Sequence, residues 1–412
     1  MNVFKKIGIW YILATPVLAG LSTFELKASD DGFTITGLIW VAQFAVGLLL
    51  LPFVWSSDDH RGDLRPWWPW FAWCGYAWMT LLWCDNLGRR NVQETIQLCM
   101  PVLVGMIAAS VIRTRDDLRR LFSTFNITFL FLAAFTMLFL SGRFDEEWIS
   151  TRVRPAALTM TLVGCVYIAG YPRRTFWPIA GWSACVLLTL LSQSRMATMT
   201  LLIAPVAFPL YRRKWTNFAA TAALAAVGLG LFYTPIVQKK FFESGSGKLS
   251  EAFEGDYAGA GRFEAWPEIY KEAWTHPALG AGVGSAYDFV PLVWEDINHV
   301  HNDYLRVFFE MGIIGEFIFV ATMLWQLVVL YRRTQTTRGL TRSAFVAAFL
   351  GWCGLLVSCA TDNTILYNIY YTDLLFALIG GGYGVLAAST SGQHAAEHVS
   401  VNEPRHLNYH PA

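Results

Sequence analysis

The feature that most limits this chain is a succession of apolar runs, each close to the length of a bilayer-spanning helix. A span needs roughly 20 mostly apolar residues. Such runs lie near 7–22, 33–55, 67–84, 92–112, 121–141, 155–171, 176–191, 196–211, 216–233, 305–331, 343–360 and 373–389. A water-soluble particle of 412 residues could not cover that much apolar surface, because only 15% of the chain is charged, against roughly 25% in soluble domains. In lipid every backbone polar group must be satisfied internally, which helices do. The expected fold class is therefore all-α: a polytopic membrane protein of about 12 transmembrane helices. Lys5-Lys6 before the first run resembles a signal peptide, but the runs that follow make a retained first helix the simpler reading.

Basic residues set the orientation, since Lys and Arg are retained on the cytoplasmic side. With the N-terminus inside, the inner segments hold Lys5, Lys6, Arg61, Arg65, Arg113, Arg115, Arg119, Arg120, Arg173, Arg174, Arg212, Arg213, Lys214, Arg332, Arg333, Arg338 and Arg342. The short outer segments hold fewer: Lys27, Arg89, Arg90, Arg143, Arg152, Arg154 and Arg195. Four parts are expected: a membrane bundle over 1–233, with the first nine or so helices; a large outer loop over 234–303; the last three or so helices over 304–389; and a polar, disordered cytoplasmic tail over 390–412. Within the loop, Trp266, Ile269, Tyr270 and Trp274 fall at i, i+3, i+4 and i+8, so 263–275 reads as an amphipathic helix. Its aromatic face suits either a membrane surface or the bundle. The net charge of +1 suggests no nucleic-acid partner. None of the seven cysteines forms a CxxC pair, so neither a zinc site nor a disulfide framework is indicated.

Polar residues inside apolar surroundings are costly and point to function. Arg195 lies in Ser192-Gln193-Ser194-Arg195-Met196, between two apolar runs. Arg89 and Arg90 follow Trp83 closely, where snorkelling to the interface also explains them. Glu310 and Glu316, six positions apart on one helix, point about 240° apart and do not form one site. The densest constellation is His299-Val300-His301-Asn302-Asp303-Tyr304-Leu305, which ends the long loop and opens a helix. Asn302 is a plausible N-cap with Asp303 in the first turn. The positive helix end favours a neutral imidazole at His301 and attracts an anion, while Asp303 pushes the other way. No third residue completes a metal site with His299 and His301.

These residues resemble a known family. Gly261-Arg262 with Trp266, then His276-Pro277, Gly280, Gly282 and Gly284-Ser285, then His301-Asn302-Asp303-Tyr304 with Gly312 and Gly315, are similar to the O-antigen ligase and O-antigen polymerase family over roughly 260–316. The Ser192–Arg195 motif and the helix count extend the similarity. The resemblance implies a GT-C-like fold in the bacterial inner membrane, with a periplasmic loop and a periplasmic active site. It implies a glycosyltransferase of lipopolysaccharide biosynthesis that uses no cofactor and no metal ion. The donor would be a glycan on undecaprenyl pyrophosphate and the acceptor lipid A–core, with membrane lipids around both.

That chemistry gives the residues roles. The pyrophosphate leaving group gathers negative charge, which planar, always-charged guanidinium forks neutralise. Arg195 and Arg262 are the first candidates, with Arg89, Arg90 and Arg306 in reserve. His301 matches the family's histidine and is the candidate base for the acceptor hydroxyl. Asn302, Asp303, Tyr304 and Trp266 would support it. A polymerase would use the same chemistry on a lipid-linked repeat. A transporter or flippase of lipid-linked glycans is a different reading, which would place the polar groups on a path near the bilayer midplane.

Overall fold

A computed structural model describes residues 3–24, 35–55, 65–141, 146–170, 176–192, 262–294 and 299–401, with single positions at 194, 197, 198, 200, 201 and 230. The described residues are helical, with no strand among them. Seven helices come first: α1 (Val3–Ser22), α2 (Ile35–Trp55), α3 (Trp68–Thr80), α4 (Arg89–Val111), α5 (Arg115–Leu140), α6 (Glu146–Ile168) and α7 (Phe176–Leu191). Then come α8 (Arg262–Ala273), α9 (Ala286–Val293), α10 (Asp303–Thr336), α11 (Gly339–Ser358) and α12 (Asp373–Val401).

Among the described residues, six helices are long and apolar enough to cross a membrane, and Ile39–Val54, Pro155–Ile168 and Trp177–Leu191 are shorter apolar helices. Runs 196–211 and 216–233 lie almost wholly outside the described residues. Large apolar side chains face outward, among them Trp10, Leu49, Leu130, Ile179 and Phe317, while Thr95, Thr159, Gln326 and Asn368 are buried. This polarity suits a lipid surround, and the chain is a multi-pass membrane protein. Helix α12 continues to Val401, past Ser389 where the apolar run ends. A helix once nucleated extends readily through good helix formers such as Ala395 and Ala396.

Small residues set the central crossing. On α12, a Cβ at Gly380 would meet the backbone of Gly105 on α4, and one at Gly384 would meet the carbonyls of Ala109 and Ile112. Such small-residue stripes let two helix backbones approach in a membrane, where packing rather than water drives association. Beside this crossing, Trp70, Trp352 and Phe376 pack with ring centroids 4.8–5.8 Å apart.

Helix α10 differs from the continuous span that the hydropathy suggests. Gly312 has φ 66° and ψ −171°, which breaks it into 303–311 and 313–336. In a straight helix Tyr304 and Phe319 would stand about 22 Å apart, yet their rings lie 5.7 Å apart. The first half therefore folds back beside the second. The second half alone is about 36 Å long at about 1.5 Å per residue, enough to span. A break exposes backbone donors and acceptors, which must be paired where lipid excludes water. The segment 277–282 pairs them. Ala281 and Gly282 N–H donate to Phe309 and Glu310 carbonyls (3.0 and 2.8 Å), and Ile313 and Ile314 N–H donate to Pro277 and Ala278 carbonyls (2.8 and 3.3 Å). Gly280 (φ 72°) and Gly312 face each other's strands of chain with no room for a Cβ.

Helix α8 packs on the bundle, one of the two placements expected of it. Ala265, Ile269 and Ala273 form its buried stripe, while Tyr270 and Trp274 lean on Phe308 of α10.

Candidate functional site

Four parts of the chain meet at one end of the bundle: the start of α4, the α8–α9 region, the start of α10, and the turn after α11. Each is pinned by local chemistry. Asn91 accepts from Gly88 N–H (2.8 Å) at the start of α4 and donates to the Val283 carbonyl (2.7 Å), which ties α4 to the chain leading into α9. The Trp266 indole N–H donates to the Val300 carbonyl (2.8 Å), so α8 holds the segment entering His301. Asn302 caps α10, as its sequence position suggests, by accepting from Leu305 N–H (3.1 Å). The Tyr304 hydroxyl donates to the Leu356 carbonyl (2.9 Å) and locks the start of α10 to α11.

His301 sits at the meeting point, 9% exposed. It has φ 53°, a left-handed conformation that costs a non-glycine residue on the order of 1–3 kcal/mol. The turn after α11 holds it there. Its backbone N–H donates to Asn363 Oδ1 (3.0 Å), and its Nδ1 lies 3.0 Å from Asp362 Oδ1. Asn363 Nδ2 also approaches Nδ1, at 3.4 Å. Nδ1 cannot both donate and accept, and the shorter contact to a carboxylate wins. The imidazole is therefore protonated on Nδ1 when neutral, and Nε2 keeps the lone pair.

Asp362 is built to remain charged. Burial pushes its carboxyl up, but the hydrogen bond and charge of His301, the Asn363 N–H and the nearby Arg262 outweigh that and hold it below the usual carboxylate range. Asp303, expected as a supporting residue beside His301, makes its own contacts to other partners. Asp303, 0% exposed, accepts from Ile365 N–H (2.9 Å) and lies 3.2 Å from Arg306. The first turn of α10 carries it into the bundle.

The arginines fall into different places. Arg195 lies outside the described residues. Arg89 is exposed at the first turn of α4. Arg90, half-buried, donates to Glu94 Oε1 (2.8 Å) and lies 4.0 Å over the Tyr287 ring. Glu94 Oε2 is 3.7 Å from Arg306, so one carboxylate braces two arginines. Arg306 is 2% exposed and stands between Glu94 and Asp303, near enough for ion pairing but not aligned for hydrogen bonds. Arg262 opens α8, half-buried, close enough to Asp362 to stabilise its charge. From Arg90 a line of rings leads inward: Tyr287 to His299 is 5.8 Å between centroids, and His299 to His301 is 6.4 Å. Burial, followed by the charges of Arg90, His301 and Arg306, pushes His299 down to about 3, so it stays neutral.

Glu310 and Glu316 do lie in different places, though the reason is the break at Gly312 rather than their angle on one helix. Each has a buried carboxylate oxygen without a hydrogen-bond partner. Sequence reasoning missed Asp362, Asn363, Glu94 and Tyr287. The available signals were the polar run Thr361-Asp362-Asn363-Thr364 between two spans, and the spacing of Arg90 and Glu94 by one helical turn. Among the described residues, no three of His, Cys, Asp and Glu are grouped to hold a metal ion.

A buried, oriented imidazole with guanidinium groups in the same region can take a proton from a hydroxyl while cations receive an anionic leaving group. No curated protein matches the chain. Residues 180–320 match the family model described as O-antigen ligase, which bears equally on ligases and polymerases. Over that stretch the chain is similar to the O-antigen ligases, the family its motifs resemble.

Proposed function

We propose that this protein is an O-antigen ligase-type glycosyltransferase of lipopolysaccharide biosynthesis, acting at the periplasmic face of the bacterial inner membrane. It would move a glycan from undecaprenyl pyrophosphate to lipid A–core. The observation that carries the reading is the His301–Asp362 pair near Arg262, with Nδ1 engaged and Nε2 left to accept.

In this mechanism Nε2 of His301 takes the proton of the acceptor hydroxyl. The oxygen attacks the anomeric carbon, and the bond from that carbon to the pyrophosphate oxygen breaks. Undecaprenyl pyrophosphate leaves with the electron pair, and the anomeric centre inverts. Asp362 holds the imidazole in the correct tautomer and stabilises the imidazolium that forms. Arg90, Arg262 and Arg195 receive the growing charge on the leaving group. Arg306, enclosed by acids, is assigned to hold Glu94 and Asp303 in place rather than to touch substrate. Gathering the charged groups at one end of the bundle favours transfer over transport, which needs polar groups along a midplane path.

A polymerase would differ only in its acceptor. The test is to give detergent-purified protein a glycan on undecaprenyl pyrophosphate together with lipid A–core and a second lipid-linked repeat, with and without chelator. The proposal expects lipid A–core to gain the glycan in both conditions. Elongation of the lipid-linked repeat alone would assign a polymerase, and no transfer by folded protein would reject the transferase reading.

A further inference from the structure

A groove of about 590 Å³ runs beside the site, between α8 and the folded-back halves of α10, lined in part by Trp266, Tyr270, Asn302, Tyr304, Phe308 and Glu316. Its volume is in the roughly 300–1,000 Å³ range of small-ligand sites. The walls are mostly aromatic faces. Two polar side chains interrupt them. Asn302, next in sequence to His301, uses its carbonyl oxygen to cap α10, which leaves its amide group as a donor. Glu316 has a buried carboxylate oxygen with no donor.

A prenyl or acyl chain would fill such a groove but offers Glu316 nothing. A sugar ring offers both kinds of contact: hydroxyl donors at its edge for a carboxylate, and a C–H face for an aromatic ring. Two sugars are available to a transferase, the acceptor's terminal ring and the donor ring that carries the diphosphate. The unpartnered Glu316 oxygen decides between them, because it needs a donor, and the diphosphate carried by a donor ring brings acceptors only.

We propose that this groove is a sugar-binding subsite that seats the terminal ring of the acceptor. Glu316 accepts from its hydroxyls, Tyr270 packs on its face, and the ring presents the attacking hydroxyl on the His301 side. This rests on the transferase reading above.

The test uses Glu316→Leu and Tyr270→Leu in the full-length protein, with two readouts. In steady-state transfer, each variant should raise KM for lipid A–core about tenfold, the effect of losing about 1.4 kcal/mol of binding. The donor KM and the melting temperature should stay within about twofold and about 2 °C, small beside a tenfold (1.4 kcal/mol) effect. In saturation-transfer NMR, deacylated core oligosaccharide should receive magnetisation from wild-type protein and lose it with Glu316→Leu. The NMR arm needs no turnover, so it separates failure of the subsite from failure of the transferase reading. Absence of transfer to the oligosaccharide from wild type would overturn the proposal. So would a rise in donor KM alone, which would mark a donor-sugar seat. A lower donor KM in Glu316→Leu would mark a prenyl-chain seat and overturn it too.

Discussion

At the scale of residues, the account turns on Asp362, 61 positions beyond His301 and in contact with it only through the fold. Replacing Asp362 with Asn tests its role without changing its shape. An amide can donate to Nδ1, which favours the tautomer with a proton on Nε2, where the lone pair is needed. Asp362→Asn should lower kcat on the order of 10²–10⁴-fold with the melting temperature unchanged, and a kcat within twofold of wild type would refute the orienting role. Arg90→Lys and Arg262→Lys should each lose most activity, because an ammonium cannot replace the planar fork. Normal rates in both would remove the pyrophosphate role. His299 makes a separate prediction. It stays neutral down to about 3 when folded, whereas an unfolded histidine takes its proton near pH 6.5. Between those values the unfolded chain binds a proton the folded chain does not, so stability falls as pH drops from about 6.5 toward 3. The melting temperature of wild type should fall more between about pH 7 and about pH 4.5 than that of His299→Gln; equal falls would contradict it. His301 was legible because the N-cap and the loop-to-helix change are local. Asp362 was not, because no spacing rule links residues that meet across two helices.

At the scale of elements, the break in α10 does most to build the site. It turns 303–311 back beside the span, which takes Asp303, Arg306 and Glu310 inside the bundle and leaves His301 against the turn after α11. Hydropathy averages composition over a window and is blind to φ, so the run 305–331 reads as one continuous helix although Gly312 lies within it. The conformation, not the composition, demands the glycine. Gly312→Ala must adopt a left-handed φ with its Cβ against Ala278 and Leu279. It should lower the melting temperature and abolish transfer, whereas Gly75→Ala, with open space around it, should do neither. A Gly312→Ala variant as stable and active as wild type would show that the break is dispensable. The amphipathic face of α8 was legible from its period, but its landing on Phe308 rather than on lipid depended on where the folded-back segment lay.

At the scale of the whole molecule, the apolar runs and the distribution of basic residues specify a helical membrane protein and put the start of α4, the α8–α9 region, the start of α10 and the turn after α11 on one side. The structure brings those four parts to one end of the bundle. The stripe at Gly380 and Gly384 brings α12 close to the far end of α4, around Gly105 to Ile112, though nothing in the order of the runs says which helices touch. Side-chain pairing across helices is likewise invisible to hydropathy, which is why Glu94 between two arginines emerged only with the fold. The central claim is that His301, oriented by Asp362, is the base that activates the acceptor. Its most direct test is the rate of glycan transfer from undecaprenyl pyrophosphate to lipid A–core by purified His301→Ala, alongside its melting curve. The account predicts a rate lower on the order of 10²–10⁴-fold with an unchanged melting temperature; a folded His301→Ala protein that transfers at the wild-type rate would contradict it.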